Sequence, residues 1–133
     1  MKLYLIAKNH EKVWSYDIKG ETVSIGRSSE NDIQVQDRYV SRRQLVLWTK
    51  ENRFFLKDLG NRNGTTVNGF RIPPHATVQV KRGDVIDMGM SVLYIGVMSS
   101  QNLYAFLESL DSYQQGGGDT TTIVLDETIY NFA

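Results

Sequence analysis

The 133-residue chain has no cysteine, only two histidines, and no lysine or arginine in its last 33 residues. Without cysteine there are no disulfide scaffolds, zinc fingers or thiol nucleophiles, and the absence fits a reducing compartment. His10 and His75 stand isolated, with no carboxylate or nucleophile arrangement close by in sequence, which argues against catalytic or metal roles. No run approaches the roughly 18 apolar residues of a membrane-spanning helix. The apolar N-terminal stretch is interrupted at Lys8, too soon for a signal-peptide core. A soluble, cytoplasmic protein that does not associate with membranes is expected.

What is present is an uneven charge distribution hidden under a formal net charge of zero. All 15 basic residues lie in residues 1–100 against 10 acidic ones, a net +5; Glu108, Asp111, Asp119, Asp126 and Glu127 give the remainder −5. A basic body with an acidic tail is a hint about partners. With no net positive charge and no basic–aromatic stripe along the sequence, nucleic acid is not an expected partner. The length favours one domain with a sizeable core, and 41% hydrophobic content argues against wholesale disorder.

Residues 2–98 read as short strands separated by turn residues. The segments 3–7, 13–18, 23–27, 44–50, 53–59, 77–80, 84–87 and 92–98 are rich in β-branched, aromatic and leucine side chains. Lys19-Gly20-Glu21, Glu30-Asn31-Asp32, Gly60 to Gly64, Asn68-Gly69, Pro73-Pro74 and Arg82-Gly83-Asp84 punctuate them. This spacing predicts an all-β sandwich with functional loops at one end. From Asn102 to Gln114, Leu103, Phe106, Leu107 and Leu110 fall at helical spacing and predict one amphipathic helix packed on the sandwich. The expected organisation is therefore a folded domain over 1–100, a helix over 101–115, and a Gly116-Gly117-Gly118 linker with a Thr-rich acidic tail over 116–133.

Three loop clusters combine the residue types that reading a phosphate requires. Gly26-Arg27-Ser28 ends a predicted strand, where glycine lets the backbone come close and arginine offers a planar fork of donors. Ser41-Arg42-Arg43-Gln44 precedes another strand and sets a hydroxyl beside two guanidinium groups. Because adjacent strand-like residues point to opposite sides, one of the pair, Arg42, is expected to face a ligand. The third cluster runs from Asp58 to Gly69 and holds Asn63-Gly64 and Asn68-Gly69, pairs that favour tight turns. A calcium loop is excluded there, because its first and twelfth positions would be Leu59 and Phe70. Asp84 and Asp87 border a strand and do not form an acid–base pair.

In this order and spacing the clusters resemble the forkhead-associated (FHA) domain, whose pattern is Gly-Arg, then Ser-x-x-His, then two Asn-Gly pairs. The resemblance covers roughly residues 1–98 and includes Asn31-Asp32-Ile33 and Asp58-Leu59-Gly60. It implies a β-sandwich of about eleven strands, here with a short C-terminal helix and an extended tail, that binds phosphothreonine peptides. Arg27, Ser28, Ser41 and Arg42 would then surround the phosphate. Arg62 and Asn63 would hold the peptide, Asn63 through its main chain. Gly26, Gln44, Gly64, Asn68 and Gly69 would shape the loops. Gln44 departs from the family, standing where it has a histidine that supports the binding loop; a glutamine can still hydrogen-bond to backbone. The expected protein is not an enzyme and needs no cofactor or metal. It recruits phosphorylated partners in Ser/Thr kinase signalling.

The tail adds a second theme. Thr120, Thr121, Thr122 and Thr128 lie in an acidic segment after the triple glycine and are candidate phosphoacceptors. They resemble the Thr-rich segments beside FHA domains in some bacterial signalling proteins, where phosphorylation lets the tail bind its own domain. The alternative is phosphate-independent assembly, in which Thr120 to Tyr130 adds as a strand to a sheet edge, within one chain or between two.

Overall fold

A computed structural model describes residues 1–7, 12–111 and 124–125. His10 and the four tail threonines lie outside the described residues. In chain order the elements are β1 (Lys2–Ala7), β2 (Lys12–Asp17), β3 (Thr22–Gly26), β4 (Ile33–Gln34), β5 (Leu45–Lys50), β6 (Arg53–Asp58) and β7 (Thr66–Val67). They continue with β8 (Phe70–Arg71), β9 (Thr77–Val80), β10 (Val85–Met88), β11 (Ser91–Ile95), α1 (Ser100–Asp111) and β12 (Val124–Leu125). The strands form two facing sheets, ordered β12-β2-β1-β11-β10-β7-β8 and β4-β3-β5-β6-β9. The expected all-β sandwich is the fold, with eleven strands in its body.

The core lies between the sheets, where Leu3, Leu5, Val23, Ile25, Leu45, Leu47, Leu56, Ile86, Leu93 and Ile95 are buried. Strict alternation holds in β5, whose Leu45 and Leu47 point inward while Val46 and Trp48 face out. In β1 it fails, since Leu3 to Ile6 are all buried. The reason is a third layer: α1 covers the outer face of the larger sheet, packing Leu103 and Leu107 on Tyr4, Ile6, Val13, Val92 and Met98. The Tyr4 hydroxyl donates to the Met98 carbonyl at 3.3 Å and accepts from its amide at 3.2 Å, fixing the chain where it leaves the sheet for the helix. A continuous apolar run such as Leu3-Tyr4-Leu5-Ile6 is what a strand buried on both faces requires.

Register sets which end carries the loops. Ala7 pairs with Ser91 and Leu3 with Ile95, so the Ala7 end of β1 adjoins the β10–β11 turn. Asp37, in the chain between β4 and β5, accepts from the Met90 amide at 2.6 Å and the Ser91 hydroxyl at 2.9 Å, which brings that loop to the same end. Three elements have no counterpart among the predicted strands: β4, β7 and β8 are two residues each, too short to show a period. The turn between β7 and β8 is Asn68-Gly69 with φ of 51° and 86°, the left-handed pair that a two-residue hairpin demands. Val124–Leu125 pairs in parallel with Lys12–Val13, at the loop-bearing end of edge strand β2.

Candidate functional site

The first two loop clusters are brought together by backbone bonds running from one loop to the other. The Arg27 amide donates to the Ser41 carbonyl at 2.9 Å and the Ser28 amide to the Arg42 carbonyl at 3.1 Å. This approach depends on Gly26: a Cβ there would collide with the Arg42 carbonyl. Arg27 Nε donates to the Val40 carbonyl at 3.0 Å, which steers its guanidinium along the Ser41 loop while leaving the side chain exposed. Asn31 staples the junction from the other side, donating through Nδ2 to the Arg42 carbonyl at 2.7 Å and the Ser28 carbonyl at 2.9 Å. Arg27, Ser41 and Arg42 thus stand side by side.

Gln44 ties this assembly to the third cluster. Its side chain is fully buried. Its Oε1 accepts from the Ser41 amide at 2.9 Å, and its Nε2 donates to the Gly64 carbonyl at 3.1 Å and the Thr65 hydroxyl at 2.9 Å. A primary amide suits this post because it carries an acceptor and two donors on one rigid plane. Asp58, also buried, accepts from the Gly60 amide at 2.7 Å and from Asn61 Nδ2 at 3.1 Å; Asn61 Nδ2 also donates to the Gln44 carbonyl at 3.1 Å. Asn63 Nδ2 donates to the Tyr39 carbonyl at 2.7 Å. That bond orients the amide and leaves Oδ1 and the second N–H for a peptide main chain.

The side chains predicted as site residues are not all placed alike. Arg27, Arg42, Arg62 and Asn63 are exposed and Ser41 is half-buried. The Ser28 hydroxyl accepts from the Glu30 amide at 3.2 Å and lines a small polar cavity of about 150 Å³ with Ser24, Glu30, Asn31 and Arg43. Arg43 lines that cavity and its neighbour Arg42 does not. Asn68 fixes the β7–β8 turn to the sheet, accepting from the Val85 amide at 2.9 Å and donating to Asp84 at 3.0 Å. Gly64, at φ 81°, packs beneath the Arg71 guanidinium, where a Cβ would lie 2.8 Å from Cζ.

Sequence reasoning missed the fastening residues Asn31, Asp37 and Asn61 as parts of the site. Asp37 and Asn61 were signalled only by the Asx-rich character of the loops and Asn31 also by its place in the family-like Asn31-Asp32-Ile33, and neither signal carries information about the long-range partner. Arg38 also lies at this end, donating to the Tyr39 hydroxyl at 2.8 Å with its guanidinium 4.9 Å from the ring centroid. The end of the sandwich therefore presents five exposed arginines, 27, 38, 42, 62 and 71, while Asp37 and Asp58 are occupied by loop N–H and hydroxyl donors and Glu30 lies exposed beside Ser28. Such a surface takes a multiply charged anion with several acceptor oxygens. Among the described residues no group of His, Asp or Glu is arranged to hold a metal, and no helix is long and apolar enough to cross a membrane.

Comparison with known proteins agrees with this arrangement. The FHA domain model matches residues 23–89, which contain all three loop clusters. The oxoglutarate dehydrogenase inhibitor of Corynebacterium glutamicum is 41% identical over 68 residues, 51% of this chain and 46% of that protein. The chain spans less than half the length of the curated relatives it matches. Among solved structures, the FhaA FHA domain, in complex with a partner's intracellular domain, superposes with a TM-score of 0.59 at 30% identity, covering 70% of this chain and 96% of that one. A structure from a study of phosphothreonine-dependent FHA interactions gives 0.60 at 29% identity, covering 71% and 94%. By its loops, its two sheets and these matches, the chain belongs to the FHA domain family, whose members are phosphopeptide-binding modules.

Proposed function

We propose that this protein reads phosphothreonine in partner proteins and so recruits them in Ser/Thr kinase signalling, in the cytoplasm. The observation that supports the reading most is the pair of backbone bonds beside Gly26, which holds the chain at Arg27 and Ser28 against the chain at Ser41 and Arg42. A phosphate brings about −1.5 to −2 charges and three acceptor oxygens, which two guanidinium groups and a hydroxyl satisfy by charge-assisted bonds. Ser28 extends the site toward the small cavity that its hydroxyl lines with Arg43, and Arg62 and Asn63 engage the peptide on the facing loop.

Titrating one peptide in phosphothreonine, phosphoserine and unphosphorylated forms tests this. Phosphothreonine-dependent binding is expected, weakened at least tenfold in Arg27→Ala, since a hydrogen bond to a charged group contributes about 1.5–3 kcal/mol. Equal affinity for the phosphorylated and unphosphorylated peptides refutes the reading.

The same site takes the protein's own tail once a kinase has phosphorylated Thr120, Thr121, Thr122 or Thr128. Supporting this, Val124–Leu125 pairs with β2 at the loop-bearing end, two residues beyond Thr122. A tethered phosphothreonine would act at an effective concentration on the order of mM and compete with free peptide. That same pairing also favours a second reading, in which the tail adds as an edge strand, within one chain or between two, whether or not it is phosphorylated. Stoichiometric phosphorylation of the tail should block peptide binding; undiminished affinity rules out the tail as a competitor.

A further inference from the structure

The two sheets differ in how their outer faces are finished. The larger is covered by α1, while no described element covers the smaller. The register places Val46, Trp48 and Lys50 of β5 opposite Lys57, Phe55 and Arg53 of β6, all on this open face. Val46, Trp48 and Phe55 belong to neither buried cluster. The Trp48 and Phe55 rings, both half-buried, stack across the strands at 5.8 Å with planes 21° apart and form a low apolar ridge. Lys50, Arg53 and Lys57 are exposed around it. Lys50 and Arg53 face each other directly, a like-charge pairing that a sheet tolerates at a cost. No outward position of β3, β5, β6 or β9 carries an acid, and the acids that border the face are Asp32, which accepts from the Ser24 hydroxyl at its β4 edge, and Glu51 in the β5–β6 turn.

We propose that this face is a second docking surface, occupied by an acidic segment with apolar side chains in the same partner that presents the phosphothreonine. The proposal rests on the phosphothreonine reading and extends it. Three cations against the one acid of the connecting turn, Glu51, ask for carboxylates, and the Trp48–Phe55 ridge asks for apolar contacts. The face is also continuous with the candidate site: β5 begins directly after Gln44, and β6 runs into the loop that carries Arg62 and Asn63. Lys57 lies nearest that site and Arg53 four residues further along, about 13 Å at strand rise. A single-stranded nucleic acid is the less suitable occupant, because bases need open ring faces and these two rings cover one another.

Fluorescence anisotropy with three labelled peptides decides the matter. One is a ten-residue phosphothreonine peptide. The others carry, on its N-terminal or C-terminal side, ten further residues of Asp and Glu with two Phe. One extended peptide should bind about tenfold more tightly than the short one, because the tethered segment acts at a high local concentration. The double variant R53E/K57E should abolish that gain and leave the short peptide's affinity unchanged. The proposal is overturned when neither extension adds affinity, or when the gain survives in the variant. It is also overturned when a fifteen-nucleotide oligothymidylate binds the protein and the variant loses it. Failure of the short phosphopeptide to bind sinks the phosphothreonine reading itself, a result distinct from failure of the extension alone.

Discussion

Gln44→Leu is the most informative single perturbation of the recognition end. Leucine keeps much of the volume but removes the acceptor for the Ser41 amide and the donors to the Gly64 carbonyl and the Thr65 hydroxyl. Thr65 is fully buried, so its hydroxyl has no water to turn to; Ser41 and Gly64 are half-buried and recover part of their loss. An orphaned buried polar group costs about 1–3 kcal/mol. Taking one full penalty and two partial ones, the substitution should destabilise the fold by about 3 kcal/mol. With a urea m-value of about 1.5 kcal/mol/M, that moves the unfolding midpoint down by about 2 M. Phosphopeptide affinity, measured by calorimetry well below the midpoint, should fall about tenfold or more, because Gln44 joins the Ser41 loop to the Asn63 loop. A variant within about 0.5 kcal/mol of the parent that binds peptide normally would refute the idea that Gln44 holds the site together.

Other outcomes follow from the same geometry. Binding of a phosphothreonine peptide should weaken as pH falls through about 6, where the phosphate takes up its second proton and loses charge, while a glutamate-substituted peptide shows no such step; titrations between pH 5 and 8 read this out. Gly26→Ala should lower stability by about 1–3 kcal/mol and weaken peptide binding, since the new methyl meets the Arg42 carbonyl; an unchanged melting curve contradicts the close approach. Leu107→Ala should cost about 2–4 kcal/mol in denaturant titration, the loss expected at a buried contact, whereas a helix that merely decorates the sheet would give almost nothing.

The parts of the fold that could be read from sequence are those with a period or a motif. Eight strands announced themselves through runs such as Leu3 to Ala7 and Arg53 to Leu59, and each lies within about three residues of its predicted bounds. The helix was legible from Leu103, Phe106 and Leu107, though it begins two residues earlier, at Ser100. What it covers was not legible, because the burial of Tyr4 and Ile6 on the outer face depends on an element a hundred residues away. In the site, Gly26, Gln44 and Asn68 were recognisable as loop-shaping residues by motif alone. The three bonds of Gln44 were not, since the partners at 64 and 65 are set by how two loops meet. The open face escaped for a similar reason. A sequence scan finds no basic–aromatic stripe in the chain, while cross-strand pairing assembles one from β5 and β6.

The aspartates of the recognition end have a kinetic consequence. Asp37 and Asp58 direct their oxygens at N–H and hydroxyl donors within the loops; their charges offset part of the field, but the exposed arginines of this end outnumber them and keep their donors for an incoming anion. The resulting positive field reaches into solvent and draws a doubly charged phosphate toward the loops before any contact forms. Encounter with a phosphorylated partner should therefore be faster than for a neutral surface, whose rate is about 10⁵–10⁶ M⁻¹s⁻¹. That advantage should shrink as added salt shortens the screening length below about 8 Å. Dissociation, governed by the short-range bonds at Arg27 and Ser41, should respond far less, so that salt sets how quickly a partner is found more than how long it is held.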